Sequence, residues 1–106
     1  SGAEGMGYLN VSDNRLTQIS ALEKMERLET LYINNNQITD IQPLSGKKKL
    51  TVLSMDGNQI TDLSPLEDAE SLTSLSARRN GITDWSPVAH VRVVWVMDYG
   101  YAGGLP

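Results

Sequence analysis

Apolar residues return along this chain at fixed places. In the stretch 28–44 they are Leu28, Leu31, Ile33, Ile38, Ile41 and Leu44, with mostly polar residues between them. Leu31 and Ile33 alternate with Thr30, Tyr32 and Asn34, the period-two signature of a short strand. The same arrangement recurs every 22 residues, as in Leu9, Leu31, Leu53 and Leu75, or Leu16, Ile38, Ile60 and Ile82. Ile19, Ile41, Leu63 and Trp85 keep the same step, and Leu28, Leu50 and Leu72 stand three positions before a strand leucine. Each unit therefore predicts one strand and one layer of core, Trp85 included, and stacked units predict a parallel sheet. A unit of this size cannot bury its apolar face alone, so stability comes from stacking.

The segment that returns from one strand to the next has its own signals. In "SPLED", Ser64 is placed to cap a short helix, Pro65 suits its first position and Glu67 completes a capping box. Ser86-Pro87 repeats the cap, Ser20 with Glu23 gives a box without the proline, and "ALEKMERL" reads as a better helix than its counterparts. Asp40, Asp62 and Asp84 each precede a core residue, where an aspartate makes an Asx-type bond to the backbone of the turn.

The consensus is L-x-x-L-x-[apolar]-x-x-N-x-[LI]-T-D-[IL]-x-P-L. It resembles the leucine-rich repeats over about residues 6–102, and the "ITDxxPL" ending is similar to the internalin class of bacterial surface proteins. A similar short repeat occurs in a phosphatase-regulatory class inside eukaryotic cells. The resemblance implies an α/β repeat solenoid, a right-handed leucine-rich-repeat coil with a parallel concave β-sheet and short helical or 3-10 convex segments. It divides the chain into an N-terminal stub at 1–5, four repeats at 6–92, and a partial fifth repeat with a C-terminal tail at 93–106. Adding 22 to Leu72, Leu75 and Ala77 places a fifth strand near 93–99, with Val94, Met97 and Tyr99 as its core positions.

The amides are dense where the strand ends. There the chain turns into the core and leaves backbone groups without ladder partners, and such groups are costly to bury unpaired. A single asparagine carries both a donor and an acceptor for them. Asn14, Asn36, Asn58 and Asn80 are expected to form this inner ladder. Asn34 and Asn35 precede the turn and are expected to face solvent.

Strand positions that alternate with the core line the concave side, and their side chains vary while the core columns barely change. Tyr8, Asn10, Asp13, Tyr32, Asn34, Asn35, Asp56, Arg78, Arg79, Asp98 and Tyr101 are the candidates for contact with a protein partner. Tyr32, Arg78, Arg79 and Tyr101 lead, because tyrosine and arginine are enriched in interface hot spots. "NVS" at 10–12 matches a glycosylation sequon.

Charge and composition then narrow the field. The chain has 106 residues, 40% hydrophobic and 21% charged, with a net charge of −4. That balance argues against a general nucleic-acid binder, which needs a clustered basic surface. Without cysteine, disulfides and thiolate chemistry are excluded. No apolar run reaches the length of a membrane span. Catalysis finds little support, with one histidine and neither a nucleophile elbow nor a phosphate-cradling loop. Asp13, Asp56 and Asp98 could meet across strands, but an open sheet face offers them no buried pocket for acid–base chemistry. No metal or cofactor is expected, and His90 reads as a lone convex residue. Lys47, Lys48 and Lys49 read as a solvated convex loop, with a small basic patch for an acidic partner as the alternative.

The expected function is a non-catalytic protein-interaction module, with an extracellular or bacterial-surface location. The alternatives are a cytoplasmic regulatory scaffold of the phosphatase-regulatory type and a structural repeat segment with no ligand of its own. Met6, Leu9 and Val11 at one end, and Trp95, Tyr99 and Tyr101 at the other, suggest ends in need of cover. Either "YAGGLP" seals the last layer, or the chain forms a homodimer through its C-terminal end.

Overall fold

A computed structural model describes residues 7–95, apart from the side chains of Val93 and Trp95. Among the described residues, five three-residue strands form one sheet: β1 (Tyr8–Asn10), β2 (Thr30–Tyr32), β3 (Val52–Ser54), β4 (Ser74–Ser76) and β5 (Val93–Trp95). They lie in chain order and every pair is parallel. Four 3-10 turns make the return path: η1 (Ser20–Lys24), η2 (Gln42–Leu44), η3 (Ser64–Leu66) and η4 (Ser86–Val88). This is the α/β solenoid the repeat implies.

The register carries the period directly. Leu9 pairs with Leu31, Leu31 with Leu53 and Leu53 with Leu75, so each leucine stacks on its equivalent. Leu31, Leu53 and Leu75 are buried, as are Ile33, Met55 and Ala77 two positions on. Ile38 and Ile60, Ile41 and Leu63, and Leu44 and Leu66 close the same layers from the return side. The first layer is less covered: Leu9, Val11 and Leu16 pack against the core but stay half-buried. Met6 lies outside the described residues.

The period slips at the last strand. Leu75 pairs with Val94, which is 19 residues on rather than 22. Val94 therefore takes the column of Leu75, not the column of Leu72 that a strict repeat assigns it. Val91, three residues earlier, is also buried. The circuit after η4 has lost three residues relative to its predecessor. Assigning Met97, Tyr99, Asp98 and Tyr101 to strand faces relied on the strict period; these residues lie outside the described residues, as do the tail 101–106 and any dimer contact built on it.

The return path is 3-10 rather than α-helical. The bonds run from Leu22, Leu44, Leu66 and Val88 amides to carbonyls three residues back. A 3-10 turn rises about 2.0 Å per residue against 1.5 Å for an α-helix, so a short repeat covers the distance with fewer residues. The turns are not capped by serine, because no cap position makes a side-chain bond and Ser64 and Ser86 lie inside the turns. Instead the aspartates one turn earlier do this work. Asp40, Asp62 and Asp84 accept the amide protons of Gln42, Ser64 and Ser86 at 2.9, 2.9 and 3.0 Å. Repeat one has Gln18 in that column; its turn η1 is the longest of the four described. Trp85 packs against the core but is half-buried rather than enclosed.

Candidate protein-binding face

Three consecutive columns follow strands β1 to β4: 12/34/56/78, 13/35/57/79 and 14/36/58/80. Each has a separate structural task.

The third column is the asparagine ladder. Asn36 Oδ1 accepts the amides of Asn14 and Leu16, both at 3.1 Å, and its Nδ2 donates to the carbonyls of Val11, Ile33 and Asn34. Asn58 repeats the pattern with the Ile38 amide and the carbonyls of Ile33, Met55 and Asp56. Asn80 bridges the Ile60 amide to the carbonyls of Met55 and Arg78. Each side chain thus ties its own turn to the previous one. Asn36 and Asn58 are buried, Asn80 is half-buried, and Asn14 is exposed, its side chain donating to the carbonyls of Val11 and Ser12.

The first column is a second ladder, on the concave side. Ser12 Oγ accepts the Asn34 amide at 3.0 Å. Asn34 Oδ1 accepts the Asp56 amide and the Ser54 hydroxyl, both at 2.7 Å. Asp56 Oδ1 accepts the Arg78 amide and the Ser76 hydroxyl, both again at 2.7 Å. Asp56 Oδ2 receives the Arg78 guanidinium at 3.1 Å from Nη2. Asn34, expected to be free, is committed to backbone support, and Asp56 is buried beneath Arg78 instead of offering its carboxylate. Sequence reasoning missed this ladder. Its signal was a hydrogen-bonding side chain at each of 12, 34 and 56, with Ser54 and Ser76 two positions before the next member.

The middle column is left-handed. Asp13, Asn35, Gly57 and Arg79 have φ of 61, 57, 68 and 55°. Asp, Asn and Gly are the residues that tolerate this region; Arg79 is the exception. Asn35 Nδ2 donates to Asp13 Oδ1 at 2.9 Å. A Cβ on Gly57 would sit 2.5 Å from Asn35 Oδ1. So Asp13 and Asn35 are exposed but bonded to each other.

What remains open on the concave face is narrower than the sequence suggested. Tyr8 is 59% exposed and packs edge-on against the half-buried Tyr32, with ring centroids 5.8 Å apart. Asn10 is exposed and its Oδ1 accepts the Ser12 amide. Arg79 is exposed and Arg78 is half-buried. Between Tyr32 and Arg78 lies a shallow hollow of about 400 Å³, floored by Val52 and by the hydroxyl-bearing Ser54, Ser74 and Ser76. Among the described residues no three acids, histidines or cysteines gather as a metal would need. The trio of Asp13, Asp56 and Asp98 is not assembled: Asp13 bonds Asn35, Asp56 pairs with Arg78, and Asp98 lies outside the described residues.

The pattern described as "Leucine Rich repeats (2 copies)" matches twice, over residues 8–46 and 48–90. The chain belongs to the leucine-rich-repeat family. Among solved structures, this leucine-rich-repeat chain is similar to internalin C2 of Listeria monocytogenes, at 37% identity and a TM-score of 0.80 over 84% of the chain. It is also similar to a second Listeria monocytogenes internalin, InlF, at 36% identity and a TM-score of 0.83 over 92% of the chain. The chain spans 40% and 29% of the lengths of those proteins. No curated protein matches it in sequence. Leucine-rich repeats generally serve protein interaction and not catalysis, and no described helix is long and apolar enough to cross a membrane.

Proposed function

We propose that this leucine-rich-repeat chain is a non-catalytic binding module of a surface-exposed or secreted internalin-like protein, and that it engages a protein partner through the concave sheet face. The observation that carries this reading is a shallow hollow with a half-buried aromatic and a half-buried cationic group in its wall. Tyr32 and Arg78 line the hollow with small serines, Tyr8 packs against Tyr32, and Arg79 is the exposed neighbour of Arg78 in the chain. Tyrosine and arginine are the side chains that anchor protein interfaces, and the surrounding small residues let a partner approach closely. Asn10, Asp13 and Asn35 form the polar rim of the same face. Asn34 and Asp56 act beneath it, holding the turn and orienting Arg78. Two ladders and a left-handed column fix this surface before any partner arrives, which lowers the ordering cost of binding. Similarity to internalins over most of the chain supports the bacterial-surface setting.

The test is binding of extracellular-matrix and host-surface proteins to immobilised protein, measured in parallel for three variants. Tyr32→Ala and Arg79→Ala are expected to weaken binding with the melting temperature unchanged, while the convex Lys48→Ala leaves it intact. Binding that survives both concave substitutions and fails with Lys48→Ala would place the partner on the other face.

A further inference from the structure

Five of the nine lysine and arginine residues gather on the side opposite the concave face. Lys24 ends η1 and Arg27 follows it; Lys47, Lys48 and Lys49 follow η2. Lys24, Arg27 and Lys49, with Glu26, line a hollow of about 650 Å³. An adjoining hollow of about 400 Å³ shares Glu26 and Lys49 and adds Lys47, Lys48 and Glu23. Lys24, Arg27, Lys48 and Lys49 are exposed and form no ion pair among the described residues.

Lys47 differs from the others. It was expected in a solvated loop, yet it is only 3% exposed and occupies the column of the apolar Met25, Ala69 and Val91. Its Nζ donates to the Glu23 carbonyl at 2.7 Å, which ties the second loop to the first and holds Lys48 and Lys49 beside Lys24 and Arg27. Five cations and the carboxylates of Glu23 and Glu26 give this region a formal +3. The remaining four cations and eleven carboxylates leave the rest of the chain at −7.

The composition of the cleft selects its ligand. Its walls hold charged groups with Ser45 and Gly46, and neither aromatic nor apolar anchors. A protein partner would find few hot-spot contacts there, whereas a ligand bound mainly through its charges needs none. The patch is also short. One repeat on, the places of Ser45, Gly46 and Lys48 are taken by Glu67, Asp68 and Glu70, which repel an anion running further along the solenoid. Glu26 in the shared wall sets a further limit on affinity.

We propose that this convex cleft is a second binding site, for a short oligoanion presenting two or three sulfate or phosphate ester groups. Lysines act there as point charges toward the ester oxygens and Arg27 as a directional donor. The site is independent of the concave face and uses none of its residues.

The experiment titrates the whole chain with a fully sulfated hexasaccharide and, separately, with inorganic tripolyphosphate, followed by amide NMR. Shifts are expected at residues 23–27 and 45–49. Three charge contacts predict a loss of roughly 20-fold in affinity between about 50 and 200 mM salt. The tighter of the two probes identifies sulfate or phosphate as the source. Lys48→Glu with Lys49→Glu is expected to weaken binding by about tenfold or more, and Tyr32→Ala to leave it unchanged. If the double variant melts early, Lys24→Gln with Arg27→Gln takes its place, since these side chains are exposed and unpaired. Three results overturn the proposal: no shift with either probe, binding indifferent to both pairs of substitutions, or poly-glutamate binding as tightly, which would make an acidic protein segment the ligand.

Discussion

Asp56 separates two explanations for the stability of the concave turn. Its Oδ1 serves the Arg78 amide and the Ser76 hydroxyl, and its Oδ2 serves the Arg78 guanidinium. Asp56→Ala removes all of these acceptors from a buried position. Leaving a buried donor unpaired costs about 1–3 kcal/mol, and two donors are stranded, the Arg78 amide and the Ser76 hydroxyl, so the expected loss is about 2–6 kcal/mol; the Arg78 guanidinium is exposed enough to turn to water. Asp56→Asn keeps Oδ1 and gives up only the ion pair. Asn34 already performs the same task one repeat earlier, accepting an amide and a serine hydroxyl through its own Oδ1. The Arg78 side chain is 31% exposed, so the pair is partly screened and its loss is expected to cost about 1 kcal/mol or less. Urea melts of both variants at neutral pH, compared at a common m-value, measure the two numbers. Equal losses would refute the reasoning, because the ion pair and not the ladder would then carry the stability. So would a loss below about 0.5 kcal/mol for Asp56→Ala, the scale of an ordinary surface change.

Four further outcomes are expected. Asn36→Ala should cost roughly 1–3 kcal/mol because it strands buried backbone groups, while the exposed Asn14→Ala should cost about 0.5 kcal/mol or less; chemical denaturation distinguishes them. Leu53→Ala, in a central layer with its side chain 1% exposed, should cost about 2–5 kcal/mol by the same measurement. Gly57→Ala places a Cβ in a left-handed residue against Asn35 and should cost about 1–2 kcal/mol; an unchanged melting temperature would contradict the geometry. Burial holds the Lys47 ammonium below the usual lysine pKa, against the opposing pull of Glu26 and Glu23. The unfolded chain then binds more protons in the window between the lowered value and the ordinary lysine value, so stability should rise with pH there; Lys47→Met should abolish that rise.

Much of this protein was determined by its sequence alone. A repeat carries its own proof of architecture: one strand, one turn and one core layer must stack, since a single unit has no second face to bury against. Leu31, Ile33, Ile38 and Ile41 were readable as core for that reason, and Asn36 as a ladder residue because a turn into the core leaves backbone groups to satisfy. The aspartates at 40, 62 and 84 were readable too, since an Asx bond spans only two residues. What the sequence misjudged lies between repeats. Asn34 and Asp56 alternate outward from the strand and read as free, yet their partners are the amides 22 residues on, which come within 2.7 Å only when the turns stack. Lys47 reads as one of three solvated lysines; burial of its stem and a carbonyl from the preceding repeat draw it inward. The slip of β5 to a spacing of 19 also depends on pairing, because Val91 and Val94 suit the core in either register by composition. Local chemistry fixed the turn and the strand. Stacking decided which polar side chains face solvent and which hold the next repeat in place.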